Sequence, residues 1–239
     1  CVVIETAIIL AAGQGSRLRA ASHSKPLCPV AGKPLIDHAL KSLAIAGLSR
    51  AVVVTGYLAD EVEGHQASRP WPLRVETVRT SDWRLPNGVS VLAAESLVGA
   101  DPALLAMCDH LVDPALYARL ATVGAGRGLC LGIDRRLGHP WIDPEDVTWV
   151  ATEGMQISAI GKGLEPHDCY DTGVFAISTP FFSALRGLSA PSISEAVRVL
   201  ADSRQAGIVD CSDLDWIDVD DPRALQQAES WMKVREETR

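Results

Sequence analysis

Two glycines, an arginine and a lysine stand close together near the start of the chain. Residues 7–18 read A-I-I-L-A-A-G-Q-G-S-R-L, so an apolar run meets Gly13-Gln14-Gly15 and then Arg17, and Lys25 follows in S-K-P-L-C-P-V. Glycines directly after a strand-like run offer backbone N–H groups to an anion, because no side chain blocks the approach. Two familiar glycine loops do not fit. A dinucleotide fingerprint needs a third glycine and an acid at the end of the next strand; here Ser16-Arg17-Leu18 follow, and the next apolar run ends Thr55-Gly56. The phosphate-loop pattern G-x-x-x-x-G-K-[ST] is absent as well. What remains is a loop that wraps a triphosphate, with Arg17 near the β- and γ-phosphates and Lys25 near the α-phosphate. Cations at both places suit a reaction at the α-phosphorus that expels pyrophosphate. A plain turn followed by a solvated arginine accounts equally well for the glycines and Arg17 taken alone.

The elements that must hold these residues follow from the apolar pattern. Strand-like runs recur at 6–12, 51–55, 104–108, 129–133 and 172–177, and helical patterns lie between them at 34–47 and 113–123. Asp113 before Pro114 is a helix cap with proline in the first turn. Alternation of this kind predicts a parallel α/β sheet with crossover helices, and a run such as A-V-V-V-T predicts burial on both faces. From 135 to 170 the pattern loosens into an insertion, with a hairpin expected over 147–160 about Gly154. A closing amphipathic helix is expected over 221–235, with Asp221 as its cap. Nothing reads as a linker or repeat, so residues 1–239 form one domain.

Composition limits the function classes. Against 22 basic residues stand 30 acidic ones, a net charge of −8, which opposes nucleic-acid binding driven by phosphate neutralisation. The six cysteines show no metal-ligand spacing and read as reduced thiols of a cytoplasmic protein. No apolar stretch reaches the ~18 residues that cross a bilayer, and no signal peptide is evident.

Taken together, L-A-A-G-Q-G-S-R-L and the K-P-L that follows resemble the signature of the nucleotidyltransferases that make NDP-sugars and CDP-alcohols. The resemblance implies a three-layer, mainly parallel, Rossmann-like nucleotidyltransferase fold with a small acceptor-binding β region inserted at about 135–170. It implies that Leu10, Ala11, Ala12, Gly13 and Gly15 hold the nucleotide, with Arg17 and Lys25 catalytic. It also implies that Asp109, at the end of A-L-L-A-M-C-D, is catalytic and binds Mg²⁺. The family's W-x-D pattern falls on Trp216 and Asp218, with Asp220 an alternative second ligand. L-P-N-G-V-S-V-L places Asn87, Gly88 and Ser90 near the base and ribose; a helix start explains the same residues. Lys162 in A-I-G-K-G-L suits an acceptor's phosphate and Asp171 in C-Y-D-T-G-V-F its hydroxyls, with Arg135 nearby. A sheet-edge lysine, a turn aspartate and a solvated arginine are the plain alternatives. His110 reads as a packing or hydrogen-bonding residue.

Across residues 6–230 the motifs look most like CTP:inositol-1-phosphate cytidylyltransferases. The expected activity is then Mg²⁺-dependent transfer of CMP from CTP to inositol-1-phosphate, giving CDP-inositol and pyrophosphate. Other phosphorylated acceptors (a sugar-1-phosphate, phosphocholine or a phosphonate) and a non-catalytic nucleotide-binding module are the alternatives. One departure is Cys108, where many relatives carry glycine or serine. Such enzymes often continue into a membrane-embedded CDP-alcohol phosphotransferase, which makes such an enzyme a possible downstream partner. The chain is expected to be either a free-standing enzyme or a piece of a longer protein, itself without membrane insertion and without a nucleic-acid partner.

Overall fold

The computed structural model describes residues 3–237; Cys1 lies outside them. The chain opens with β1 (Thr6–Ala11), a single 3-10 turn over Ser16–Leu18, and a small ribbon of β2 (Pro29–Val30) and β3 (Lys33–Pro34). Helix α1 (Leu35–Ile45), β4 (Arg50–Thr55), α2 (Ala59–Ala67) and β5 (Arg74–Arg79) come next. Then follow α3 (Asn87–Ala93), α4 (Glu95–Val98), β6 (Ala103–Met107), β7 (His110–Val112), α5 (Pro114–Val123) and β8 (Leu129–Asp134). A hairpin of β9 (Trp149–Glu153) and β10 (Gln156–Gly161) precedes β11 (Cys169–Ile177), α6 (Thr179–Arg186), α7 (Ile193–Asp202) and β12 (Ala206–Asp210). The described chain closes with β13 (Trp216–Asp218) and α8 (Pro222–Glu237).

The central sheet runs β5-β4-β1-β6-β11-β8-β12-β10-β9. Its first four strands are parallel, as their buried runs predict. The other half is mixed: β11 lies antiparallel between β6 and β8, while β12 is parallel to β8. Periodicity foretells which faces are buried but not which way a strand runs, so this reversal had no signal in the pattern.

Three layers follow from the period of two along each inner strand. Ala7, Ile9 and Ala11 of β1 face one apolar layer with Ile36 and Leu40 of α1 and Leu116 and Leu120 of α5. Ile8 and Leu10 face the other, with Val91 of α3, Phe181 and Leu185 of α6, and Val197 of α7. A third cluster, including Leu18, Val30, Ile217 and Ala228, seats α8 against the small ribbons beside the glycine loop. Among the described residues no helix is long and apolar enough to cross a membrane.

Candidate active site

The glycine loop lies at the carboxyl end of β1, the edge where open α/β sheets hold their ligands. Gly15 has φ 60° and ψ 50°, the left-handed region, and a Cβ there would overlap the Lys25 side chain. A Cβ on Gly13 would meet no atom within 4 Å, so its absence keeps the loop's surface open. Together with Leu10, Ser16, Arg17, Lys25, Cys108, Asp109 and Asp220 these glycines line a cavity of about 280 Å³.

Two carboxylates, Asp109 and Asp220, reach this cavity, and a two-stranded ribbon sets Asp218 close to them. Strand β13 pairs antiparallel with β7, setting Asp218 opposite His110, and the Val219 N–H donates to the Asp109 carbonyl at 3.0 Å. That register brings together Asp109, Asp218 and Asp220 from opposite halves of the chain. Lys25, only 8% exposed, bridges Asp109 and Asp220. Arg17 Nη2 donates to Asp220 Oδ2 at 2.5 Å. Burial opposes the charge on Lys25, but Asp109 and Asp218 outweigh it and its pKa is raised. Burial likewise opposes ionisation of Asp109, yet Lys25 and His110 hold its pKa below the usual carboxylate value. The site therefore keeps its ion pairs charged at neutral pH.

Asp218 differs from its neighbours. Its Oδ1 is buried and has no hydrogen-bond partner, and Oδ2 lies 3.5 Å from His110 Nε2. Ligand atoms of Asp109, His110 and Asp218, and separately of Asp146, Asp218 and Asp220, lie within 4.8 Å of one another. Hard carboxylate oxygens with one lone pair left unsatisfied fit a divalent cation. His110 Nδ1 donates to the Thr172 carbonyl at 2.9 Å, and the ring stacks on Trp216, the bonding and packing role expected of it. Burial lowers its basicity, but Asp218 and Asp109 prevail and its pKa rises to about 9.

A second cavity of about 240 Å³ opens beside the first, and Arg17 and Asp220 line both. Lys162, just past β10, and Asp171, in β11, reach it together with Trp141, Asp146, Trp216, Asp218 and Arg223. The register of β11 against β8 shifts between Asp171 and Phe175, and Asp171 Oδ1 accepts from the Gly173 N–H at 2.7 Å. Burial pushes the Asp171 carboxyl up to about 6. Gly173, at φ 77°, leaves no room for a Cβ beside the His110 ring.

Comparison with known proteins decides what this arrangement belongs to. Residues 7–153 match the MobA-like NTP transferase domain. The chain belongs to the MobA-like NTP transferase family. Among curated relatives of this nucleotidyltransferase, a bifunctional IPC transferase and DIPP synthase from Rubrobacter xylanophilus is 35% identical over 228 residues, covering 93% of this chain and 51% of that one. A CMP-5'-(3-aminopropyl)phosphonate synthase from Streptomyces rubellomurinus is 29% identical, covering 93% and 38%. The chain thus spans about half the length of the first of these relatives and less of the second. In fold it is similar to the inositol-1-phosphate CTP transferase from T. maritima, with a TM-score of 0.85 at 23% identity over 95% of this chain and 96% of that one. The nucleotidyltransferase fold accounts for the three layers and the sheet described above.

Not every expected site residue faces a cavity of this nucleotidyltransferase. Leu10, Gly13 and Gly15 do, but Ala11 is buried in the core and the Ala12 carbonyl accepts from the Tyr57 N–H. Asn87 lines the second cavity while its Oδ1 accepts from the Ile193 N–H. The Gly88 N–H donates to the Pro191 carbonyl and so ties α3 to the segment before α7, and Ser90 is buried within α3. Arg135 lines neither cavity: its guanidinium is taken by Asp168 at 3.0 Å and Thr152 at 3.2 Å. The resemblance had placed it at the acceptor, but these partners draw it along the β9 side. Asp146, absent from the expected set, accepts from both Arg17 and Lys162. Its neighbours in D-P-E-D-V are equally acidic and loop-like, so nothing local distinguished it.

Proposed function

We propose that this chain transfers CMP from CTP to inositol-1-phosphate, giving CDP-inositol and pyrophosphate. The observation that carries the reading is the meeting of two cavities at Arg17 and Asp220: one built of glycines and cations for a triphosphate, the other bearing Lys162 and Asp171 for a phosphorylated polyol. The names of the relatives, IPC transferase and CMP-phosphonate synthase, support a cytidylyl donor and an acceptor ending in a phosphorus oxyanion.

In this reading an acceptor phosphate oxygen attacks the α-phosphorus, and the bond from that phosphorus to the bridging α–β oxygen breaks. Pyrophosphate leaves with the electron pair. Lys25 and Arg17 offset charge on the transferring and leaving groups, Arg17 from the junction of the two cavities where it also reaches the acceptor phosphate held by Lys162, and Asp171 accepts from the acceptor's hydroxyls. Asp109 and Asp218 would hold Mg²⁺, Asp218 being preferred to Asp220 because its Oδ1 is unpartnered while Asp220 is committed to Lys25 and Arg17. When bound, the cation neutralises phosphate charge. An acceptor phosphate that is already a dianion needs no general base.

Residues 1–239 act as one domain, with 135–170 as the acceptor-side insertion. The five described cysteines are buried free thiols, which supports a cytoplasmic setting. A membrane-bound CDP-alcohol phosphotransferase is the partner such a product calls for.

Pyrophosphate release with Mg²⁺ tests the reading, crossing CTP, UTP, GTP and ATP with inositol-1-phosphate, glucose-1-phosphate, phosphocholine and an aminoalkyl phosphonate. CTP with inositol-1-phosphate is expected to dominate, and Lys25→Ala or Asp109→Ala to lower it by about 100-fold or more. The phosphonate synthase relative favours a second reading in which only the acceptor changes; a dominant phosphonate response would establish it. Silence across the panel would refute both.

A further inference from the structure

The loop between β8 and β9 contributes one contact that the proposed reaction does not use. Asp146 spans the junction of the two cavities: its Oδ2 accepts from Arg17 Nη2 at 2.7 Å and its Oδ1 from Lys162 Nζ at 2.5 Å. One carboxylate thus places an oxygen on each of two cations, as a phosphate group would. The cations are accessible to a solute, with side-chain exposures of 50% for Arg17 and 62% for Lys162, whereas that of Asp146 is 20%. Ion pairs at such exposure are weak and exchange readily. The loop around Asp146 is nevertheless anchored, because Arg223 and Gln227 of α8 both donate to the Pro140 carbonyl.

We infer that Asp146 stands in for the acceptor's phosphate between Arg17 and Lys162, and that it restricts the site to dianionic phosphate groups. The inference rests on the reading of Lys162 as the acceptor-phosphate cation. Charge supplies the selectivity. Arg17 and Lys162 carry two positive charges; Asp146 pairs with both, while Asp220 pairs with Arg17 and is shared with Lys25. A monoanion, such as a phosphodiester, brings no more charge than Asp146 and competes with a group already tethered at high effective concentration. A phosphomonoester dianion brings one charge more and a third oxygen. Displacement frees Asp146 to turn away with the 143–147 turn, in which the Asp146 and Val147 N–H groups bond the Asp143 carbonyl.

Calorimetric titration of the metal-free full chain with inorganic phosphate tests this without nucleotide or turnover. Asp146→Asn is expected to bind phosphate about five- to tenfold tighter, the effect of one close charge in a solvated site. It is also expected to gain measurable affinity for dimethyl phosphate, while the unaltered chain is expected to show none. Adding Lys162→Ala to the Asn variant should erase both gains. Asp146→Ser carries the same expectations should the amide disturb the loop. Unchanged phosphate affinity in both Asp146 variants would overturn the inference, and so would a gain that survives Lys162→Ala. In turnover, a lower acceptor KM is the expected signature. A fall in kcat with a raised Mg²⁺ requirement would instead make Asp146 a metal ligand and overturn the stand-in role. A silent acceptor panel with tighter phosphate binding would refute the reaction and leave the phosphate site intact.

Discussion

Asp171 shows how a single residue can serve a site at a cost to the fold. Burial holds its carboxyl up at about 6, against an ordinary value near 3.8. The folded protein therefore keeps the proton longer than the unfolded chain does. Stability falls as pH rises from about 4 through 6, and the deficit persists above that range. Asp171→Asn preserves the oxygen that accepts from Gly173 and removes the charge. We expect it to be more stable than the unaltered protein at pH 8, by on the order of 1–3 kcal/mol, and to lose that advantage by pH 4. Thermal melts at the two pH values measure the difference, and a variant no more stable at pH 8 would contradict it. Lys25 presents the opposite balance, since its buried charge is matched by carboxylates on two sides. Its place beside the glycine loop was legible from K-P-L, whereas its shared hold on Asp109 and Asp220 was not, because Asp220 is nearly 200 positions away in the chain.

At the scale of elements, the β7–β13 ribbon and the irregular stretch of β11 build the carboxylate side of the site. His110 joins them: it faces Asp218, donates to Thr172, and occupies the space a side chain on Gly173 would need. Gly173→Ala must both adopt φ 77° and displace that ring. We expect a loss of roughly 1–3 kcal/mol in stability and, because Asp218 loses its neighbour, a fall in kcat larger than any change in KM for CTP. Full activity in this variant would separate His110 from the site. Several elements were readable beforehand. Helix α5 begins where Asp113 caps it, its side chain accepting from the Ala115 N–H at 2.9 Å, and Asp221 caps α8 through the Ala224 N–H. Helix α7 was not among the helices expected above, although a signal was there: a Ser192-x-x-Glu195 capping pattern with Ile193, Ala196, Val197 and Leu200 on one buried face. The bend in β11 carried none beyond a glycine, which a strand also uses where backbones approach closely.

Over the whole molecule, the hairpin of β9 and β10 joins the same sheet as the glycine-loop strand rather than standing apart, since β9 also pairs with β11 and β10 with β12. One cooperative unit is the expected behaviour. Calorimetry should give equal calorimetric and van't Hoff enthalpies, with coincident fluorescence and circular-dichroism transitions; two resolved transitions would divide the insertion from the rest. The sequence by itself determined the buried runs, the layers they demand, the capped helix starts and the glycine loop with Arg17 and Lys25. These are local properties: a strand buried on both faces, a cap or a left-handed glycine is written in residues a few positions apart. Only the tertiary structure decided that β11 runs against its neighbours, that Arg135 turns to Asp168, and that Asp146 sits between Arg17 and Lys162. Strand direction and ion pairing depend on which distant segments meet and in what register. The pairing of Asp218 with His110 across the β7–β13 ribbon therefore assembles chemistry that no stretch of the chain contains by itself.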